Sequence, residues 1–176
     1  TIDYVQISWI GDPVDQLDLR FFADADLAGC TRTQRSTSGI VSMLTGPNSR
    51  AMIGAISKRQ TAVSVSTAEA EFAAAAVALR MEVIPLLDYC TFLFPNHPAL
   101  KALFGEDNES MMKIVRSGKW EKLRHLSRTH RINVASVIEI FQANDKIQMV
   151  PTASQDQAAD IYTKRFTDPF VWHRLL

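Results

Sequence analysis

Three consecutive strand signals near the start of the chain limit its fold more than any other feature. Apolar residues alternate with less apolar ones over residues 17–23, which is typical of a strand with one buried face. Two apolar runs, 39–44 and 51–57, lie on either side of residues 45–48, where glycine, proline and asparagine favour a turn. The sequence therefore predicts a meander of three antiparallel strands, with its second and third strands joined as a hairpin.

A long helix is predicted directly after the meander, over residues 66–84. Ser66 or Thr67 is suited to the N-cap, and the residues that follow are mostly good helix formers such as alanine, leucine, glutamate and methionine. An apolar stripe at helical spacing predicts that this helix packs against the sheet. Pro85 lacks a backbone donor and is expected to end or kink the helix, so residues 86–94 continue it or form a short second helix.

The rest of the chain alternates between strands and helices. The predicted elements are a strand at 100–105, a helix capped by Asn108 and ended by Gly118, a helix at 132–142, a strand at 147–150 halted by Pro151, and a final helix at 157–164. Together with the meander they give the order βββ, α, β, α, α, β, α. This order predicts a mixed α/β fold.

Length and composition predict one intracellular domain. A chain of 176 residues, 47% of them hydrophobic, can bury one sizeable core but is short for two domains. Residues 1–16 show no clear periodicity and are interpreted as a connecting segment from an upstream polypeptide, which places the domain at 17–176. Cys30 and Cys90 are too few for a disulfide framework or a zinc site, which favours a reducing compartment. No apolar stretch is long enough to predict a membrane span.

Four acidic residues mark a candidate active site. Each lies where a predicted strand ends or a predicted helix begins: Asp24, Glu71, Asp107 and Asp160. Residues at the carboxyl ends of strands in an α/β sheet can meet at one edge, even when they are far apart in sequence. Carboxylate oxygens are the ligands that magnesium takes, and two divalent ions can stabilise both the attacking water and the leaving oxygen of a phosphodiester. The four acids therefore predict a metal-dependent nuclease.

Several blocks of sequence resemble the ribonuclease H domain of copia-type retrotransposon polyproteins. In chain order they are FADADLAG (22–29), RSTSG (35–39), SKRQ (57–60), STAEAEF (66–72), DNES (107–110), SRTH (127–130), VPT (150–152) and DQAADIYTK (156–164). The resemblance spans about residues 20–165 and keeps the family's order, which makes it far more specific than any one block.

The resemblance implies a ribonuclease H-like fold, with a five-stranded mixed sheet flanked by helices, and an endonuclease that cleaves the RNA strand of RNA:DNA hybrids during reverse transcription. It makes Asp24, Glu71, Asp107 and Asp160 the catalytic and metal-binding carboxylates, with two Mg²⁺ or Mn²⁺ ions as cofactors. The implied partners are an RNA:DNA hybrid and the reverse transcriptase domain of the same polyprotein. The expected location is the cytoplasm, a virus-like particle or the nucleus.

Two neighbouring acids compete with members of this set. Glu69 and Glu71 are two residues apart on one helix and point about 200° apart, so both cannot face one metal centre. Asp24 and Asp26 lie on the same face of an extended strand, so spacing does not separate them. Helix and strand geometry leave both choices open, whereas the resemblance selects Glu71 and Asp24 and leaves Asp26 as a supporting acid.

Any nucleic-acid surface must be a local patch, because the chain carries 19 acidic and 19 lysine or arginine residues. Residues 113–131 hold seven lysines and arginines against one acid, Glu121, together with Trp120. Such side chains can follow the phosphates of a hybrid without reading its sequence, although a solvated helix face with a partly buried tryptophan fits the pattern equally well. The predicted nucleic-acid contacts are Lys58, Arg59, Lys119, Lys122, Arg124 and Arg128.

Two departures from the family's pattern bear on the site. Leu27 stands where a tryptophan is common, and Glu106 adds a negative charge directly before Asp107. The histidines, at 97, 125, 130 and 173, are too scattered for a zinc site or a nucleophilic triad, and they are interpreted as surface or packing residues.

Two other functions are consistent with the sequence. A ribonuclease H-like fold captured by a host can act as a catalytically idle binding or structural subunit and keep the acids by descent. A different two-metal nuclease can act on structured DNA, because a fold alone does not fix the substrate. Acids that are held far apart, or paired with internal lysine or arginine, favour the structural subunit over the nuclease.

Overall fold

The computed structural model describes residues 7–175, and its strands form one five-stranded sheet. The strands are β1 (Asp18–Asp26), β2 (Thr37–Gly46), β3 (Ser49–Arg59), β4 (Ala102–Glu106) and β5 (Ile147–Pro151). Their order across the sheet is β3-β2-β1-β4-β5. β1, β2 and β3 pair antiparallel, while β4 lies parallel to β1 and β5 lies parallel to β4. The predicted mixed α/β fold and its meander are confirmed.

Helices connect and cover the strands. They are α1 (Thr67–Ala78), α2 (Ile84–Leu93), α3 (Glu109–Ser117), α4 (Leu126–Thr129), α5 (Val134–Ala143) and α6 (Pro169–Leu175), with a π-helical turn at Leu79–Val83 and 3-10 turns at Val14–Gln16, Glu121–Leu123, Ser154–Asp156 and Ala158–Tyr162. The helices predicted at 66–84, after Asn108 and at 132–142 are confirmed. The short α4 and α6 were not predicted, because neither is long enough to show a helical period.

Side-chain caps place two of the helix starts. Ser66 Oγ accepts a hydrogen bond from the Glu69 amide, which makes Ser66 the N-cap of α1. Asn108 Oδ1 accepts a hydrogen bond from the Met111 amide and begins α3 shortly after β4. Each cap satisfies a backbone donor that has no partner within its own helix. The two caps fix the chain beside two of the four predicted acids.

Pro85 does not end the helical segment. The turn before it widens into a π-helical turn, in which the Ile84 amide donates to the Leu79 carbonyl, five residues back. Pro85 then falls in the first turn of α2, where a missing backbone donor costs little. The predicted continuation of the helix beyond Pro85 is confirmed, and the π-helical turn accommodates the change.

Two apolar layers cover the two faces of the sheet. Leu19 and Phe21 of β1 belong to the larger core and pack with Phe72 of α1, which is fully buried. Phe22 points to the other face and joins a smaller apolar cluster with the segment after β5. Because side chains alternate along a strand, Asp24 lies on the same face as Phe22.

The predicted final helix over 157–164 is wrong in type. This segment forms a 3-10 run, Ala158–Tyr162, whose alanines are buried in the smaller apolar cluster. Gly39 of β2 permits the close approach, because a Cβ at this position would come within 2.6 Å of the Ala159 carbonyl oxygen. Packing against the sheet at Gly39 overrides the local helical tendency of the sequence.

The described part of the predicted connecting segment lies against the edge strand. Trp9 and Arg50 of β3 exchange backbone hydrogen bonds, and a 3-10 turn follows at Val14–Gln16. Residues 1–6 lie outside the described part of the chain, and the domain boundary at residue 17 stays a prediction. None of the described helices is long and apolar enough to cross a membrane.

Candidate active site

β1 and β4 bring two of the predicted acids together near the carboxyl ends of these strands. The two strands are parallel neighbours, and Phe22 pairs in register with Gly105. Asp24 and Asp107 each lie two residues beyond this pair, so they stand at the same level. Asp24 is 2% exposed, whereas Asp107 is partly exposed. The fold therefore encloses one of these acids and leaves the other open to solvent.

Glu71 reaches the same group of acids from α1. Its side chain is buried, and this burial, followed by the negative charges of Asp24, Glu106 and Asp107, raises the pKa of Glu71 to about 10. Its Oε2 atom has no hydrogen-bond partner within the described residues. A buried carboxyl group that faces other carboxylates is costly to ionise, and a nearby cation would remove that cost.

Glu69 turns to a different place, as the helical spacing requires. Its Oε2 atom accepts a hydrogen bond of 2.6 Å from the Val65 amide. Its Oε1 atom contacts Nε2 of His125, the residue before α4. The structure therefore places Glu71, and not Glu69, with the other acids, while the role of Glu71 as a metal ligand stays a prediction.

Asp160 approaches from the opposite face of the sheet. Burial raises the pKa of Asp160 to about 6, and the charges of Asp24 and Asp107 add to this effect. A hydrogen bond from Lys164 acts in the other direction and lowers the pKa. Asp24 and Asp107 therefore lie close enough to raise the pKa of both Glu71 and Asp160.

Glu106 joins this group, although the sequence suggested only a nearby charge at this position. It is fully buried at the end of β4, and burial is the main cause that raises its pKa to about 8, with further contributions from Asp107 and Asp24. Its Oε1 atom accepts a hydrogen bond of 3.0 Å from the Asn108 amide, and its Oε2 atom has no partner among the described residues. We define the acid cluster as Asp24, Glu71, Glu106, Asp107 and Asp160.

A lysine lies inside the acid cluster. Lys164 Nζ is 2.7 Å from Asp160 Oδ1 and 3.5 Å from Asp24 Oδ1. The Thr163 hydroxyl donates to Oδ2 of Asp24. Sequence reasoning gave neither Thr163 nor Lys164 a role, although a lysine four residues after an acid is a recognisable pair in a helix. Pairing with an internal lysine, which favours a structural subunit over a nuclease, is thus present at two of the four predicted acids.

The donor chemistry of the acid cluster fits divalent metal ions, but its side chains are not arranged as a metal centre. Hard carboxylate oxygens are the ligands magnesium prefers, and Glu71 and Glu106 each have a buried oxygen with no hydrogen-bond partner within the described residues. In the part of the chain that the structure describes, however, no three histidine, cysteine or acidic side chains are placed to hold a metal ion together. Both oxygens of Asp24 are engaged, by Thr163 and Lys164. Metal binding by Asp24 therefore competes with those contacts.

Asp26 is separated from the acid cluster by its role in the following loop. Its Oδ1 atom accepts a hydrogen bond from the Thr37 amide at the beginning of β2. Its carboxylate lies so close to Gly29 that a Cβ there would overlap it. Strand spacing left Asp24 and Asp26 equivalent, and these tertiary contacts distinguish them.

The basic segment between α3 and α5 lies beside the first turn of α1. Leu123 and Leu126 anchor it in the core, and the contact between His125 and Glu69 ties it to the turn that carries Glu71. The predicted nucleic-acid contacts in this segment are exposed, and no ion pair within the described residues involves them: Lys119, Lys122, Arg124 and Arg128. The segment therefore presents positive charge to solvent beside the first turn of α1.

Lys58 and Arg59 lie at the same edge of the sheet. Ser38 of β2 pairs with both Ala25 of β1 and Lys58 of β3, so Lys58 stands one residue beyond the level of Asp24. Lys58 and Arg59 are both exposed. The two predicted contacts at the end of β3 are therefore available to a ligand at this edge.

A groove of about 590 Å³ begins at these two residues and runs between α1 and α5. Its lining includes Ala73 and Ala76 of α1, and it carries positive charge from Lys58, Arg59, Arg80 and Arg131. No member of the acid cluster lines it. The groove extends the basic surface and is separate from the candidate site of chemistry.

Neither a protein-family model nor a curated protein matches the chain. Among solved structures, the chain is similar to the N-terminal RNase H domain of rv2228c from Mycobacterium tuberculosis, with a TM-score of 0.51 and 12% identity over 84% of this chain and 91% of that chain. It is also similar to LC11-RNase H1, isolated from compost by a metagenomic approach and solved with an RNA/DNA hybrid. That comparison gives a TM-score of 0.50 and 14% identity over 83% of this chain and 94% of that chain. The chain therefore has a ribonuclease H-like fold.

Proposed function

We propose that this chain is a ribonuclease H that hydrolyses the RNA strand of RNA:DNA hybrids with the help of divalent metal ions. The observation that carries the proposal is the acid cluster, in which carboxyl groups from four separate parts of the chain interact near the ends of β1 and β4. Burial and mutual repulsion raise the pKa of Glu71, Glu106 and Asp160, which costs stability in the absence of a cation. Such costs are concentrated at functional sites.

Four members of the acid cluster have proposed roles as ligands. Asp24 would bridge two metal ions, Glu71 and Asp107 would complete the ligands of one ion, and Asp160 would help to hold the other. When bound, two Mg²⁺ or Mn²⁺ ions stabilise the attacking water and the leaving oxygen of the phosphodiester. Glu106 holds the Asn108 amide through its hydrogen bond and so fixes the backbone on either side of Asp107.

The exposed basic residues are proposed to bind the substrate. Lysine and arginine side chains attract the phosphates of both strands without reading base sequence, which suits an enzyme that acts on any hybrid. The proposed contacts are Lys58, Arg59, Lys119, Lys122, Arg124 and Arg128. LC11-RNase H1, to which this fold is similar, was solved with an RNA/DNA hybrid, and this supports the choice of substrate.

The origin of the activity is proposed to be a copia-type retrotransposon polyprotein. The support is the ordered sequence resemblance over about residues 20–165. In that setting the reverse transcriptase domain of the same polyprotein makes the hybrid that this domain degrades. The proposed location follows from that role and is the cytoplasm, a virus-like particle or the nucleus.

Cleavage of labelled substrates tests the proposal. The parent protein, Asp24→Asn and Asp107→Asn are compared on an RNA:DNA hybrid, duplex RNA and branched DNA, each with Mg²⁺ or Mn²⁺. Asp26→Asn is the matched control, because Asp26 lies on the same strand face as Asp24 but bonds to Thr37. We expect the parent and Asp26→Asn to cut only the RNA strand of the hybrid, and the other two variants to be inactive. Equal cleavage by all four proteins, or none by the parent with either metal, contradicts the proposal.

The structural-subunit function is favoured by one observation, the pairing of Lys164 with Asp24 and Asp160. Three considerations weigh against it as the main conclusion. Within the described residues, Lys164 is the one cation paired with the five acids, its side chain is 45% exposed, and neither Glu71 nor Glu106 forms an ion pair. A folded parent protein that binds a protein or RNA partner at high salt and cleaves none of the three substrates would establish the structural role.

A further inference from the structure

The Lys164 ammonium group occupies a defined position between two acids on different elements. It lies 2.7 Å from Asp160 Oδ1 and 3.5 Å from Asp24 Oδ1. Within the described residues, no other lysine or arginine forms an ion pair with the acid cluster. The two acids are nearly enclosed, with side chains 3% and 10% exposed, whereas the lysine side chain is 45% exposed. The positive charge therefore has a route to solvent that the negative charges lack.

Backbone hydrogen bonds fix the position of the Lys164 main chain. The Lys164 amide donates to the Asp160 carbonyl at 2.8 Å, and the Thr163 amide donates to the same oxygen at 3.1 Å. These bonds close a turn that places the lysine stem over Asp160. The long side chain has three donors and many rotamers beyond this fixed stem, so its ammonium group can leave without unfolding the turn.

The same contacts compete with a metal ion for Asp24. Lys164 holds Oδ1 of Asp24, and the Thr163 hydroxyl holds Oδ2. Asp24 stands between Glu71, which approaches one face of the sheet, and Asp160, which approaches the other. A divalent ion that joins these acids therefore needs at least one oxygen of Asp24. A cation that neutralises the acids in the absence of metal must therefore be displaced when metal enters.

We propose that Lys164 is a built-in counter-cation of the acid cluster, which stabilises the metal-free fold and lowers the affinity for divalent metal. The inference rests on the proposed function, because it requires the acid cluster to bind metal. Lys164 acts as a positioning residue that keeps Asp24 and Asp160 together until metal replaces it.

Calorimetric titration with Mn²⁺ and thermal unfolding in EDTA test this inference. Lys164→Met removes the charge and keeps most of the chain length, Lys164→Arg keeps the charge, and Lys146→Met is the control at the distant, amino-terminal end of β5. We expect Lys164→Met to bind Mn²⁺ about fivefold more tightly than the parent, the equivalent of one partly exposed ion pair, and to unfold at a lower temperature in EDTA. Lys164→Arg and Lys146→Met are expected to bind Mn²⁺ like the parent.

The outcomes separate this inference from the proposed function. If Lys164→Met binds Mn²⁺ more tightly than the parent and the parent cleaves no hybrid, the result supports the counter-cation and contradicts the nuclease. Parent and Lys164→Met affinities that are equal, or weaker binding by Lys164→Met, overturn the counter-cation while leaving the nuclease intact. No Mn²⁺ binding by any of the proteins overturns both.

A measurement on the parent protein avoids dependence on the folding of the variant. Nitrogen NMR of the lysine ammonium groups is expected to show one slowly exchanging signal, from Lys164, in EDTA, and to lose it when Mg²⁺ is added. A Lys164 signal that is unchanged at saturating Mg²⁺ overturns the inference, and its loss supports it.

Discussion

Replacing Glu71 by glutamine is expected to stabilise the metal-free protein at neutral pH. In the folded chain, burial and the charges of Asp24, Glu106 and Asp107 raise the pKa of Glu71 from 4.5 to about 10. Above pH 4.5 the unfolded chain loses a proton that the folded chain keeps, so folding becomes less favourable with each unit of pH up to about 10. Glutamine has the shape of the protonated carboxyl group and carries no such penalty.

The width of this pH window sets the size of the effect. At about pH 7.5 the pH lies about three units above the pKa of Glu71 in the unfolded chain. Each unit costs the folded protein about 1.4 kcal/mol, so the upper limit of this destabilisation is about 4 kcal/mol. The destabilisation is smaller than this limit, because neighbouring carboxyl groups can take up a proton together and the side chains can move apart when Glu71 ionises. We therefore expect Glu71→Gln to add about 2 kcal/mol to the free energy of unfolding at pH 7.5, and little at pH 4.

Urea unfolding in EDTA, from about pH 4 to about pH 9, measures this effect. Glu69→Gln is the matched control, because Glu69 lies two residues away on the same helix but contacts His125 and Val65. We expect no stabilisation of this control at pH 7.5, because the glutamine loses the carboxylate that contacts His125 and Val65. With saturating Mg²⁺ the order should reverse, because the parent gains binding energy that Glu71→Gln has lost. A gain that is flat with pH, or a loss of stability at neutral pH in EDTA, refutes the reasoning.

Three further substitutions test the surface, the packing and the local structure. Arg128→Glu is expected to weaken hybrid binding and to reduce the slope of log K against log salt by about one, measured by fluorescence anisotropy, whereas Lys146→Glu before β5 should change neither. Gly39→Ala is expected to lower both thermal stability and hydrolysis, because the added methyl group meets the Ala159 carbonyl, and a variant equal to the parent in both contradicts this. Asn133→Ala should cost about 1 kcal/mol in urea unfolding through the lost cap of α5, and Asn133→Asp should cost much less; equal losses contradict the capping role.

Short-range patterns predicted the elements that position the site. Alternation in β1, the cap at Asn108 and the breaker at Gly118 are properties of neighbouring residues, and each of them is confirmed. The order of the elements also indicated that Asp24 and Asp107 lie near the carboxyl ends of strands in one sheet. The parallel pairing of β1 and β4 agrees, with Asp24 two residues before the end of β1 and Asp107 directly after β4. Local chemistry was sufficient for these features, because local hydrogen bonds and side-chain alternation determine them.

Tertiary contacts decided what the sequence left open. A helical wheel does not decide which of Glu69 and Glu71 faces the other acids. Their tertiary contacts decide it, because Glu69 contacts His125 and Glu71 lies among the acids. The burial of Glu106 and the contact of Lys164 with Asp24 depend on elements that are distant in sequence, so no spacing pattern revealed them. The 3-10 run after β5 likewise depends on a close approach to the sheet, which overrides local propensity.

Anomalous diffraction from crystals soaked in Mn²⁺ tests most directly whether the acid cluster is a metal centre. The account predicts an anomalous peak about 2 Å from oxygens of Asp24 and Asp107, with the Lys164 ammonium group moved away from Asp24. A well-ordered acid cluster with no peak at saturating Mn²⁺, and with Lys164 still between Asp24 and Asp160, would contradict it.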